Sequence, residues 1–188
     1  MCAFEYGLAS FALQREKQKL IILGIDPGIA NTGYGVVEAH ANRFISRGFG
    51  NIKTSPKTAP EIRLKQIYNA VTDLIAKFAI ESIVLEDIFF SKNVSSAFVV
   101  GEVKGIVKLA AANADCSVTV YTPTQIKQAV VGYGKATKSQ MQKMTQALLK
   151  LKELPRPDHA ADALALALCH ARSYKVLQLR GKYMQREN

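Results

Sequence analysis

No stretch of the chain reaches the roughly 18 uninterrupted apolar residues that a membrane-spanning helix requires, so no such span is expected. Cysteine is scarce. Cys2, Cys116 and Cys169 are too few and too scattered for a disulfide framework or a zinc site, which predicts a reducing, cytoplasmic setting. Acidic residues are in deficit: 15 stand against 25 Lys and Arg, leaving a net charge of +10. An excess on this scale points to a polyanionic partner, of which nucleic acid is the commonest; the plainer reading is a solvated surface. What is present is ordinary globular composition, 48% hydrophobic and 21% charged, which excludes wholesale disorder. At 188 residues the chain fits one domain, long enough to bury roughly 70% of its unfolded surface.

The charge is unevenly spread. Residues 1–19 and 20–99 carry +1 each, 100–153 carry +5, 154–172 are neutral and 173–188 carry +3. Every basic residue in 100–153 is a lysine, among them Lys104, Lys127, Lys135 and Lys138. Lysines are hydrated point charges, suited to phosphates rather than to bidentate reading of bases.

Residues 1–19 show no clean period and read as an N-terminal extension, a poor match to a signal peptide. The fold begins at Leu20. Leu20–Ile25 is a short apolar run ending at Asp26-Pro27-Gly28, a buried strand and a turn. Thr32–Glu38 and Arg43–Ile52 read as an antiparallel meander around a His40–Asn42 turn. Apolar residues at helical spacing from Ile62 to Phe78 predict a helix, and Ser82–Leu85 predicts a second buried strand stopping at Glu86. A polar and aromatic loop follows. Ser95–Asn113 then reads as a helix in which Gly101 and Gly105, four apart, would let another backbone come close. Val118–Tyr121 predicts a strand, Pro123 opens a helix, Gly132-Tyr133-Gly134 breaks it, and Ser139–Leu149 starts another. A last helix runs from about Asp158 to Arg172, leaving 173–188 as a basic tail. Strands first, then strands alternating with helices, make an α/β domain over 20–172 with a mixed sheet covered by helices.

Three acids share a placement: Asp26 ends the first strand, Glu86 ends the fourth, and Asp162 lies one turn into the last helix. An acid directly after an apolar run sits beside low-dielectric core, where its charge is costly unless paired or bound to metal. Strand carboxyl ends are where ligands bind in open α/β sheets, so parallel neighbours would aim Asp26 and Glu86 at one spot. Clustered carboxylates suit a hard divalent ion, and two such ions would clamp the attacking and leaving oxygens of phosphodiester hydrolysis. Asp26 and Glu86 also have plainer readings, as a turn acid and a solvated strand end, and the nearby Asp158 reads as favourable charge at a helix N-terminus; Asp162 is harder to dismiss, because the alanines and leucines around it make that helix almost wholly buried. His159 and Asp162, three apart, share a helix face, although a histidine in a buried helix is often a satisfied core residue.

Five segments, LGIDPGIANTGYGVV, VLEDIFFSKN, GEVKGIV, QIKQAVVGYGKATKSQMQKM and PRPDHAADALALALCH, resemble in order and spacing a bacterial RuvC-type Holliday-junction resolvase, over residues 20 to about 172. The resemblance implies an RNase H-like fold with a five-stranded mixed sheet. It also implies a homodimer that makes paired symmetric nicks in four-way junction DNA during recombination and repair. The implied chemistry uses two Mg²⁺ ions per site, with Mn²⁺ able to substitute, and leaves 5′-phosphates. A RuvAB branch-migration complex is the implied partner. Carried over by position, the metal-site and catalytic residues are Asp26, Glu86, His159 and Asp162, and the DNA-binding residues are Phe89, Lys127 and Lys138. Family members often carry aspartate where His159 stands, and imidazole tolerates Mn²⁺ better than Mg²⁺. The helix over 95–113 would be the dimer seam. Competing readings are an actin-like ATPase or kinase, which needs a second glycine-rich loop, a junction-binding protein without catalysis, and a ribonuclease on the same fold.

Overall fold

The computed structural model describes residues 19–40, 43–87 and 94–184. Phe89 and Phe90, and nearly all of the N-terminal extension, lie outside the described residues. Three strands open the fold, β1 (Leu20–Asp26), β2 (Asn31–His40) and β3 (Arg43–Lys53). They are followed by α1 (Pro60–Phe78), β4 (Ser82–Glu86), α2 (Val94–Asn113), β5 (Ser117–Tyr121), α3 (Pro123–Val131), α4 (Lys138–Leu149) and α5 (Asp158–Met184). The sheet order is β3-β2-β1-β4-β5. The β1–β2 and β2–β3 pairs are antiparallel, while β1–β4 and β4–β5 are parallel. This is the five-stranded mixed sheet flanked by helices that the sequence predicts.

Alternation along the central strands splits the core in two. Leu23 and Ile25 of β1 and Ile83 and Leu85 of β4 face α1 and α2, where Ile67, Val71, Val103 and Val107 are buried. Ile22 and Val84 face the other way, onto α3, α4 and the alanine- and leucine-rich α5. Helix α1 forms because Pro60 sits in its first turn and Ile67, Val71 and Ile75 recur every fourth residue, and it stops at Ala79 with φ 52°. Helices α3 and α4 each begin with a reciprocal capping box, Thr122 with Gln125 and Thr137 with Gln140.

Helix α5 continues to Met184, past the Arg172 end read from the sequence. Helical hydrogen bonding propagates cheaply once nucleated, so an amphipathic signal need not persist for the helix to do so. The two α2 glycines face open space: apart from their own helix, no described residue comes within 4 Å of where a Cβ would stand at Gly101 or Gly105.

Candidate active site

Because β1 and β4 are parallel with Ile25 beside Leu85, their next residues, Asp26 and Glu86, end adjacent strands at one level. Both fall in the alternation that carries Ile22 and Val84, so both side chains lie on the α5 side of the sheet. Asp26 bears this out directly, accepting a 2.7 Å hydrogen bond from Nδ1 of His159 in the first turn of α5.

What brings α5 so near is a furrow of glycines. Gly24 pairs with Gly35 across β1–β2, and Gly33 pairs with Asp26. A Cβ at Gly24 would overlap the carbonyl oxygen of Ala163, one at Gly33 the carbonyl oxygen of His159, and one at Gly35 would stand 2.6 Å from the Leu164 nitrogen. The backbone of α5 therefore lies against the sheet over residues 159–164, and this contact sets His159 and Asp162 beside Asp26. Sequence reasoning passed over these glycines, although the signal was there: Gly33 and Gly35 at alternate positions, matched by small residues in AADALALAL. The far end of the same helix stretch is fastened by His170, which is 8% exposed and lies 3.2 Å from Ser82 Oγ and 3.0 Å from Tyr121 Oη.

Electrostatics tie the acids together. Burial pushes the Glu86 carboxyl above its ordinary range, and the charges of Asp26 and Asp162 push it further, against Lys104 and Lys127. Burial likewise raises Asp162, with Asp26 and Asp158 adding to it and Lys138 opposing. Three carboxylates thus feel one another, although among the described residues no three His, Cys, Asp or Glu side chains close tightly around one point. A lysine at a helix N-terminus opposes the macrodipole, yet Lys138 opens α4 and reaches Asp158 at 3.0 Å and Asp162 at 3.5 Å. Its hydrogen bond holds the Asp158 carboxyl below its usual range, and Gln142 donates to the same carboxylate.

The turn after Asp26 is braced from below. Thr32 Oγ1 donates to the Gly28 carbonyl at 2.7 Å, Thr54 Oγ1 donates to that of Ile29, and Arg63 Nε donates to Thr54 Oγ1 at 2.8 Å. Between this turn, Val99, Val100 and His159 opens a shallow pocket of about 480 Å³. The structure therefore brings Asp26, Glu86, His159 and Asp162 to one end of the sheet, with Lys138 in contact and Lys127 near enough to act on Glu86. Chemically the donor set, three mutually repelling carboxylates and an imidazole, fits a divalent cation.

Comparison with known proteins identifies the family. Residues 22–170 match the family model described as crossover junction endodeoxyribonuclease RuvC. The proteins of that name from Desulforamulus reducens and Alkaliphilus metalliredigens are 48% and 49% identical, over 81% and 82% of this chain and 93% and 94% of theirs. The structure of Thermus thermophilus RuvC in complex with a Holliday junction substrate superposes with a TM-score of 0.80. That protein is 38% identical, and the match covers 84% of this chain and 96% of the other. The fold is accordingly RNase H-like. Since the matched span runs from the core of β1 through the buried stretch of α5, and so contains every element that builds the acidic site, this chain belongs to the RuvC family of crossover junction endodeoxyribonucleases.

Proposed function

We propose that this protein resolves four-way DNA junctions by hydrolysing one phosphodiester in each of two opposed strands. The convergence of Asp26, Glu86, Asp162 and His159 at the carboxyl ends of β1 and β4 carries the reading. These four residues would hold two divalent ions, Mg²⁺ in the first place and Mn²⁺ as a substitute. When bound, such ions supply an activated water and neutralise charge on the phosphate oxygens. The mutual repulsion of the carboxylates supports this, because a cation removes the penalty that burial and like charge impose on them. His159 donates its Nδ1 proton to Asp26, which leaves Nε2 as the ring's one lone pair for a metal.

Lys138, held between Asp158 and Asp162, is placed to meet the scissile phosphate and offset charge that develops on it. Lys127 stands on the same side and adds to the attraction of the phosphate backbone. Phe89 follows Glu86 by three residues, and we assign it the stacking of an unpaired base at the crossover, worth about 1–3 kcal/mol. The products are a 5′-phosphate and a 3′-hydroxyl, ends that a ligase can rejoin.

Paired nicking needs two such sites at a fixed spacing, and a twofold homodimer provides it. The outward face of α2 supports that seam: Phe98 is 69% and Leu109 51% exposed, and Gly101 and Gly105 between them open onto free space. A DNA substrate and the scarcity of cysteine support a cytoplasmic setting. The deciding experiment compares wild type with Asp26→Asn on a four-way junction with Mg²⁺ or Mn²⁺. Wild type should cut two opposed strands, and the variant should bind the junction as tightly while losing roughly a thousandfold in cleavage rate. Undiminished cutting by Asp26→Asn would remove the assignment.

A further inference from the structure

Lys104 is the one lysine among the described residues whose side chain is taken into the core, 7% exposed between Val103 and Val107 on the sheet-facing side of α2. Burying an ammonium is costly unless it is paired, and lysine is among the residues least often found there. Its Nζ donates to the main-chain carbonyl of Glu86 at 2.6 Å. Burial lowers its pKa below the ordinary lysine value and the charge of Lys108 adds to this, while the charges of Asp87 and Glu86 oppose it. The contact comes from the face of the sheet opposite α5, so Lys104 reaches the end of β4 without entering the acidic site itself.

The carbonyl it grips belongs to the peptide plane that follows the Glu86 Cα, so holding that plane holds ψ of Glu86. Pairing of Glu86 with Tyr121, and the 2.8 Å hydrogen bond from the Asp87 amide to the Tyr121 carbonyl, steady the strand end from its β5 edge. Beyond Asp26, β1 turns away and provides no further pairing on the other edge. We propose that Lys104 is a positioning residue for junction cleavage: by clamping the Glu86 carbonyl to α2, it sets the direction in which the Glu86 carboxylate projects. The role rests on Glu86 belonging to the active site. It matters because a carboxylate displaced by about 1 Å can cost about a hundredfold in rate. Since α2 also presents the proposed dimer face, the clamp joins that face to the reacting end of β4.

The test uses the full chain with Lys104→Met, which keeps the buried stem and removes the donor, and Lys104→Arg, which restores one. Junction affinity is measured in EDTA, single-turnover cleavage at saturating protein, and amide exchange over residues 82–87. For Lys104→Met the expected result is affinity within about twofold of wild type, a cleavage plateau lowered by about tenfold or more, and faster exchange at 84–87 than wild type, with α1 unchanged. Lys104→Arg should recover most of the plateau. Wild-type cleavage by Lys104→Met overturns the proposal, as does a loss that Arg fails to restore and that tracks the fraction of unfolded protein. Should Lys104→Met not fold, Lys104→Gln, polar but too short to reach the carbonyl, is judged by the same results. Glu86→Gln is run alongside: if it cuts at the wild-type rate, the active-site reading itself is wrong, whereas a dead Glu86→Gln beside a fully active Lys104→Met refutes only the clamp.

Discussion

Glycine serves two opposite purposes on the two faces of this sheet. On the α5 side, Gly24, Gly33 and Gly35 carve a furrow in which the helix backbone lies against the strands, leaving no volume for even a methyl group. On the α2 side, Gly101 and Gly105 face open space, and apart from their own helix no described residue stands within reach of a Cβ there. The first set fixes the distance between Asp26 and the residues of α5, so it shapes the candidate active site. The second set weakens its helix with no packing gain inside the described residues, in keeping with the dimer seam proposed for that face. A glycine's meaning lies in what faces it.

Breaking the furrow should give the largest effect. Gly24→Ala places a methyl group on the Ala163 carbonyl, and urea denaturation should show a loss of about 3 kcal/mol or a failure to fold. The same substitution at Gly101 should raise the stability of the monomer by about 0.5–1 kcal/mol, because alanine costs less entropy in a helix and meets nothing there. Gly101→Arg sharpens the contrast: sedimentation should show weaker self-association with unchanged folding, and unchanged association would move the dimer seam elsewhere.

Smaller effects concern the polar groups that the closeness of α5 buries and that the open face of α2 has no reason to hold. Glu86 is raised by burial and by neighbouring acids, so its ionised form is a liability in the metal-free protein. Thermal melting in EDTA at neutral pH should place Glu86→Gln about 0.5–1 kcal/mol above wild type, even though the proposed role of Glu86 requires it to lose cutting. Stability linked to Glu86 and Asp162 runs in one direction: their folded pKa values are raised, so the penalty is relieved as pH falls through them. His170 runs in the other. Burial lowers its pKa, so below about pH 6.5 the unfolded chain takes up a proton that the folded imidazole refuses, and stability falls. The stability difference between wild type and His170→Gln should therefore shrink as pH falls from about 7 to about 5. A difference independent of pH would mean the imidazole binds its proton equally well in the folded and unfolded chain.

Much of the site was legible because its signals are local. Asp26 and Glu86 each follow an unbroken apolar run, and period-two alternation alone puts them on defined faces. His159 and Asp162 share a face by helical spacing. Lys138 stood out only through the resemblance of its ATKSQ motif, and its grip on Asp158 and Asp162 was not legible, since a lysine at a helix N-terminus has no local reason to be there. Lys104 looked like one more surface charge in a lysine-rich segment; its partner is a main-chain carbonyl, which leaves no trace in residue types. The end of α5 was misjudged because Arg172 closes the apolar pattern while helical hydrogen bonding does not depend on that pattern.

By itself the amino-acid order determined the strands, the helices and which acids sit at their ends, because those follow from hydrophobic period, turn residues and caps read over a few neighbours at a time. The approach of α5 to β1, the meeting of His159 with Asp26, and the burial of Lys104 beneath Glu86 were decided only in three dimensions. They depend on which surfaces pack, and packing joins residues separated by 133 positions in the case of Asp26 and His159 through volumes and contacts that no local pattern encodes.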